Sequence, residues 1–130
     1  MAERSKDWMN QAKRDFQAAQ EEEKKDFFEW ACFIHQQAAE KAVKAVYQKL
    51  SAEAWGHSVF SLFKGLREKL EIDQDLLESA KLLDRFYISA RYPNGWVEGF
   101  PGELITRKEA ESAGSCAEKI IRFCEGILAK

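Results

Sequence analysis

The chain contains little proline, cysteine or histidine and no long apolar run. Its 130 residues include two prolines, three cysteines and two histidines. No stretch of about 18 apolar residues occurs, so no transmembrane helix is predicted, and the charged N-terminus lacks the apolar core of a secretory signal. An odd number of cysteines without close pairs is typical of reduced thiols. We therefore expect a cytoplasmic protein that does not interact with membranes.

The same scarcity argues against a metal site and against common catalytic motifs. The two histidines are far apart in sequence, and the three cysteines lack the short spacing of zinc ligands. The chain has no Gly-rich phosphate loop, no nucleophile elbow and no HExxH motif. The net charge of −2 provides no global field that would attract nucleic acid. We accordingly predict no metal, no cofactor and no catalytic residue.

The most informative stretch runs from residue 26 to residue 50. It has no glycine or proline, and its apolar residues recur at steps of three and four, which is typical of an amphipathic helix. The apolar series is Phe28, Cys32, His35, Ala39, Ala42, Val46 and Leu50. We predict that this is the central helix of a bundle, because so broad an apolar side requires partners on more than one flank. The opposite face is predicted to lie in solvent with its lysines, and it comprises Gln37, Lys41, Lys44 and Gln48, with Gln36 and Glu40 beside them.

Three further segments and the C-terminal segment have helical periodicity. Helices are predicted over about 4–23, 58–70, 74–90 and from 106 to the C-terminus. Ser58 or His57 is expected to cap the third helix, Asp73 the fourth, and Thr106 with Glu109 forms a capping-box sequence before the last. The sequence therefore predicts an all-α fold, an antiparallel up-and-down bundle of four to five helices in one domain, residues 1–130.

One long irregular segment interrupts this pattern between residues 91 and 106. It contains both prolines and three of the seven glycines, so it cannot be helical throughout. Loops of this length are often functional. Its aromatic residues Tyr92, Trp96 and Phe100 are expected either to fold back onto the bundle or to form a binding surface.

Polar residues on the apolar faces require partners. Asp15 lies among apolar residues of the first helix, so we expect a cation beside it, with Lys41, His57 and Arg91 as candidates. His35 lies at the centre of the apolar face of the second helix, and we expect it to be buried and hydrogen-bonded.

Four sequence segments together resemble the HEPN domain family (higher eukaryotes and prokaryotes nucleotide-binding). Residues 36–45, QQAAEKAVKA, resemble its QQAAEKAxKA signature, and Trp8, Ala12, Asp15 and Ala19 resemble its opening WxxxAxxDxxxA helix. Residues 56–58 with Leu62 resemble its H-[DS]-L segment, and Tyr87 with residues 90–93, ARYP, resembles the end of its fourth helix. The four segments occur in the family's order, and the resemblance covers about residues 5–129, nearly the whole chain.

The resemblance implies a helical bundle that homodimerises and has a nucleotide- or RNA-related role. It also implies a partner, a minimal nucleotidyltransferase encoded nearby in a two-component, toxin–antitoxin-like system. One branch of the family consists of metal-independent RNases with an Arg and a His four to six residues apart at the end of the fourth helix. This sequence departs from that pattern, because no His follows Arg91. Cleavage by the usual route of the family is therefore not expected.

Six residues are predicted to bind the ligand: Arg91, Tyr92, Lys41, Lys44, Gln37 and His57. Arg91 has the guanidinium fork that matches phosphate, and Tyr92 provides a ring for base stacking. Simpler structural roles remain open for each: Arg91 as a cap of the fourth helix, Lys44 in a helical ion pair with Glu40, and His57 as a cap.

Three functional hypotheses follow. The first is a nucleotide-binding module that catalyses nothing alone. The second is a divergent RNase that uses Arg91 with another base such as His57. The third is a purely structural dimer, in which the loop aromatics Trp96 and Phe100 would form the interface.

Overall fold

The computed structural model describes residues 3–130, and over these residues the chain is helical without a β-strand. The elements are α1 (Ser5–Lys24), α2 (Phe28–Lys49), α3 (Val59–Leu66), α4 (Gln74–Asp84), α5 (Phe86–Ser89), a 3₁₀ turn (Pro93–Gly95), α6 (Pro101–Leu104) and α7 (Arg107–Leu128). This confirms the predicted all-α bundle. None of these helices is long and apolar enough to cross a membrane.

Helix α2 is the centre of the bundle, as predicted, and packs mainly between α1 and α7. Alanines along α2 are fully buried, including Ala38, Ala39 and Ala42, and these small side chains allow close approach of the neighbouring helices. Cys32 on α2 and Cys124 on α7 are also buried, whereas Cys116 is only half-buried. Burial raises the pKa of the Cys32 thiol to about 12, so this cysteine is a small apolar core residue rather than a nucleophile.

The predicted helix starts are confirmed in detail. The Ser58 hydroxyl accepts from the Ser61 amide (3.0 Å), and the Asp73 carboxylate accepts from the Leu76 amide (2.8 Å). Thr106 and Glu109 form the reciprocal capping box at the start of α7. The turn between α1 and α2 depends on Asp26, whose φ of 66° reverses the chain without a glycine.

The predicted fourth helix, residues 74–90, is divided into α4 and α5. The division falls at Arg85, whose amide bonds to the carbonyl of Leu82 three residues back (3.2 Å), which is a 3₁₀-type bond. The loop from residue 91 to residue 106 contains two short helical turns, and each begins with a proline, Pro93 or Pro101.

One side of α2 differs from the prediction. Gln36 and Glu40 were assigned to the solvent face, but both are buried. Lys41 and Lys44 are also less exposed than predicted, with 28% and 15% of their side chains accessible. The segment 57–60 and the end of α4 pack over this side of α2, and helical periodicity within α2 does not reveal that packing.

Candidate functional site

The most distinctive surface of the protein is a group of aromatic and cationic side chains around Tyr87. We define the Tyr87 cluster as Phe33, His57, Tyr87, Arg91 and Tyr92. The His57 and Tyr87 rings stack with centroids 5.1 Å apart and an interplanar angle of 16°. The Phe33 ring lies 6.3 Å from the Tyr87 ring. Residues from α2, the segment before α3, and α5 with its C-terminal extension thus meet at one place.

Arg91 is held in this cluster by three rings and one hydrogen bond. Its guanidinium carbon lies 4.4 Å from the centroid of Phe33, 4.8 Å from Tyr87 and 5.2 Å from Tyr92. Its Nε donates to the Tyr87 carbonyl (2.8 Å). In residues 3–130, no acceptor pairs with its two terminal nitrogens. Arg91 therefore caps the last helical turn and still presents two N–H-bearing nitrogens for an external anion.

His57 is oriented by a buried carboxylate. Its Nδ1 lies 3.2 Å from Glu40 Oε2, and the same oxygen accepts from Lys44 Nζ (3.0 Å). The Glu40 side chain is 6% exposed, whereas the His57 side chain is 57% exposed. The imidazole is therefore anchored on its inner side and accessible on its outer side.

Asp84 fixes the start of α3, which follows His57 directly. Its two carboxylate oxygens accept from the amides of Val59 (2.9 Å) and Phe60 (3.0 Å) and from the Ser58 hydroxyl (2.8 Å). Gln36 Nε2 donates both to Asp84 (3.2 Å) and to the His57 carbonyl (2.8 Å). A side chain of α4 thus caps the N-terminus of α3, and Gln36 of α2 stabilises this contact through its hydrogen bond to Asp84.

The structure brings three of the six predicted site residues together and links two more to them. Arg91, Tyr92 and His57 belong to the Tyr87 cluster, and Lys44 is linked to His57 through Glu40. Gln37 Nε2 donates to Gln36 (2.9 Å) and Glu40 (3.3 Å), so its amide group is engaged in the same network.

Lys41 lies apart from this network and binds Asp15 across the α1–α2 contact. Lys41 lines a cavity of about 580 Å³ beside Trp8, and Lys44 lines another of about 360 Å³. Arg91 lines neither of them. Asp15 thus has Lys41 as its cation, one of the three predicted candidates, and it also accepts from Gln11 Nε2 (2.8 Å).

His35 is buried as predicted, at 1% exposure, but the expected hydrogen bond to Nδ1 is absent among the described residues. The imidazole packs against the Phe16 ring, with centroids 5.0 Å apart. Burial lowers its pKa to about 4, so the ring is neutral near pH 7.

Three contributors were missed as functional residues in the sequence: Glu40, Asp84 and Phe33. Glu40 and Gln36 belong to the QQAAEKA segment, so the resemblance itself marked their positions. Asp84 and Phe33 had no local signal, because each acts on a residue more than 20 positions away in the chain.

The fold and the Tyr87 cluster define a small helical-bundle protein with aromatic and cationic side chains grouped at its surface, and comparisons with known proteins specify the family. The HEPN domain family profile matches residues 5–127. The chain belongs to the HEPN domain family.

Solved structures agree with this assignment. A Thermus thermophilus protein is similar at 40% identity and a TM-score of 0.94, covering 97% of this chain and 99% of that one. An archaeal HEPN homologue is similar at 36% identity and a TM-score of 0.82, covering 96% and 98%. A HEPN domain protein from Thermotoga maritima is similar at 41% identity and a TM-score of 0.79, covering 95% and 98%. A search of curated proteins found no significant match.

Proposed function

We propose that this protein is a nucleotide-binding module whose ligand phosphate binds at the Tyr87 cluster. The observation that carries the proposal is the Arg91 guanidinium, which three rings hold in place while its terminal nitrogens have no acceptor among residues 3–130. A guanidinium of this kind matches two phosphate oxygens at once. Tyr92 is 49% exposed beside it and offers a ring for stacking a base.

The lysines have a secondary role in this proposal. Lys41 and Lys44 are each paired with a carboxylate, Asp15 and Glu40 respectively. Their charges are therefore partly neutralised inside the protein, unlike that of Arg91. We accordingly expect Arg91 to contribute more to phosphate binding than either lysine.

The proposal includes the assembly that the family resemblance implies. The module acts as a homodimer, together with a minimal nucleotidyltransferase in a two-component, toxin–antitoxin-like system, and RNA is a further expected ligand. The identity of the neighbouring gene and co-purification with its product test the partner. Failure of a neighbouring nucleotidyltransferase to bind would reject that part of the proposal only.

Titration with labelled ATP, GTP and a short RNA tests ligand binding. We expect saturable binding of at least one of them, and about tenfold weaker binding by Arg91→Ala. Arg14→Ala is the matched control, because Arg14 is an exposed residue of α1 without an ion pair in the described chain. Absence of saturable binding by the protein, alone and with its partner, would contradict the proposal, as would equal binding by the two variants.

A second candidate function is metal-independent RNA cleavage, and one observation favours it. The Arg91 guanidinium and the His57 imidazole both lie about 5 Å from the centroid of the Tyr87 ring, at 4.8 and 5.1 Å. With its Nδ1 facing Glu40, His57 has Nε2 available to accept a proton from an RNA 2′-hydroxyl. Arg91 would stabilise the charge that develops on the phosphate.

This candidate makes a sharper prediction than binding alone. RNA cleavage should disappear in both Arg91→Ala and His57→Ala, while Arg14→Ala keeps it. Cleavage that persists in either site variant indicates a contaminating nuclease and rejects this second function. Saturable binding without cleavage leaves the first proposal as the account of the site.

A further inference from the structure

A separate cleft lies between the α4–α5 region, the 3₁₀ turn and the start of α7. Its volume is about 510 Å³, which falls in the range of about 300–1,000 Å³ typical of small-molecule sites. Its apolar surface comes from Leu82, Phe86 and Trp96, and its charged groups are Arg85, Lys108 and Glu109. None of these six residues belongs to the Tyr87 cluster.

The Trp96 wall of this cleft is held by two specific contacts. Trp96 Nε1 donates to the Ser89 carbonyl (2.7 Å), and the Trp96 amide donates to the Pro93 carbonyl (3.0 Å). Gly95 lies so close to α5 that a Cβ atom there would be 3.0 Å from the Ser89 Cα. The indole is therefore positioned before any ligand arrives, which lowers the entropic cost of binding.

The charges around the cleft leave a net positive centre. Arg85 and Lys108 have no carboxylate within 4.0 Å among residues 3–130. Glu109 is the one acidic residue in the lining, and its Oε1 accepts from the Thr106 amide (3.0 Å) and hydroxyl (3.2 Å). Two cations against one engaged carboxylate favour an anion with a single negative charge.

We propose that this cleft binds a small aromatic carboxylate. The planar apolar body of the ligand packs against Phe86 and Trp96, where offset or edge contacts between rings are favourable. Its carboxylate faces Arg85, whose guanidinium matches two carboxylate oxygens, with Lys108 as a second cation. One ligand would thus contact the apolar side chains and the two cations of the cleft at the same time.

Calorimetric titration with naphthalene-2-carboxylate, compared with the neutral naphthalene-2-carboxamide, tests this site. We expect saturable binding of the carboxylate and about tenfold weaker binding of the amide. The variant Arg85→Gln/Lys108→Gln should lose about tenfold in carboxylate affinity. The matched control is Arg67→Gln/Lys69→Gln, which removes the same charges from exposed positions after α3 and should leave the affinity unchanged.

A second variant separates loss of the site from loss of the fold. Ser112 is exposed and lines the cleft, so Ser112→Trp should fill it and abolish carboxylate binding while the thermal unfolding midpoint stays unchanged. The proposal is overturned if naphthalene-2-carboxylate shows no saturable heat or if the amide binds equally well. It is also overturned if either folded cleft variant binds the carboxylate as the wild type does.

Discussion

Arg91 combines two roles that the sequence left as alternatives. Its Nε caps the Tyr87 carbonyl at 2.8 Å, and its guanidinium lies against three rings. A single side chain can do both because the guanidinium has five N–H groups in a planar fork. The cap orients the group, and the remaining N–H groups are left for a ligand.

This geometry predicts that a positive charge at position 91 is not sufficient for full ligand affinity. Arg91→Lys keeps the charge but cannot both cap Tyr87 and present a fork, so we expect about tenfold weaker binding of the nucleotide or RNA ligand. Titration of the two proteins at equal ionic strength measures the difference. Equal affinities would show that Arg91 acts only as a point charge.

The burial of His35 predicts that the stability of the protein depends on pH. Burial lowers the pKa of His35 in the folded protein from 6.5 to about 4. Below pH 6.5 the unfolded chain therefore takes up a proton that the folded chain does not, so the free energy of unfolding falls as the pH drops toward 4. The loss approaches about 3 kcal/mol at full effect.

Urea unfolding at pH 7 and pH 5 measures this term. A non-titrating variant, His35→Leu, should show a smaller loss of stability on acidification than the wild type. Val43→Ala serves as the control, because Val43 is fully buried and does not titrate, so its replacement should lower stability while leaving the pH dependence in place. Equal pH dependence of wild type and His35→Leu would contradict the assignment.

At the scale of elements, Asp84 is the side chain that joins α4 to the start of α3. It accepts from two amides at the first turn of α3, where unpaired N–H groups and the helix dipole both favour a carboxylate. The same first turn follows His57 directly. The capping of α3 therefore depends on a residue of another helix, and this cap lies immediately after His57.

Asp84→Ala should destabilise the protein by about 2 kcal/mol or more, because it leaves several donors unpaired at once. It should also weaken ligand binding, since it frees the turn that follows His57 and removes one acceptor of Gln36, which bonds to the His57 carbonyl. Asp73→Ala is the comparison: Asp73 caps only its own helix α4 and should cost about 1 kcal/mol without affecting binding. Chemical denaturation and ligand titration of both variants measure this, and equal losses in both would refute the inter-helix role.

At the scale of the whole molecule, exposed aromatic residues gather near the start of α2. Phe27, Trp30 and Phe100 are each exposed by between 44% and 54%. The loop lies beside the start of α2, because a Cβ atom added at Gly102 would be within 4 Å of both the Phe100 ring and the Glu29 carboxylate. Apolar side chains grouped in this way are typical of a protein interface.

We therefore expect the proposed homodimer to use this face. Trp30→Ser/Phe100→Ser should convert the dimer to a monomer, because two large apolar contacts would be lost from each subunit. Light scattering measures the mass. Trp55→Ser is the control, since Trp55 is 78% exposed but lies beyond the C-terminal end of α2. A dimer that persists in the double variant rejects this face.

The aromatic residues of the loop from residue 91 to residue 106 differ in how they pack, and Trp96 and Phe100 show the difference. The sequence is compatible with Trp96 and Phe100 either folding back onto the bundle or forming a surface. Trp96 folds back, with its indole N–H on Ser89, while Phe100 stays exposed. The difference depends on the close contact between Gly95 and α5, which no local pattern encodes.

The amino-acid pattern alone predicts the helices, apart from the end of α3 and the division at Arg85, together with their caps and the central position of α2. These features depend on spacing along the chain, since side chains three and four residues apart share a helix face and a cap acts within one turn. The same local rules misplaced Gln36 and Glu40. Which polar residues are buried, which cations are paired, and the shared contact of Arg91 and His57 with Tyr87 become visible only in the folded chain, because each depends on contacts between residues distant in the sequence.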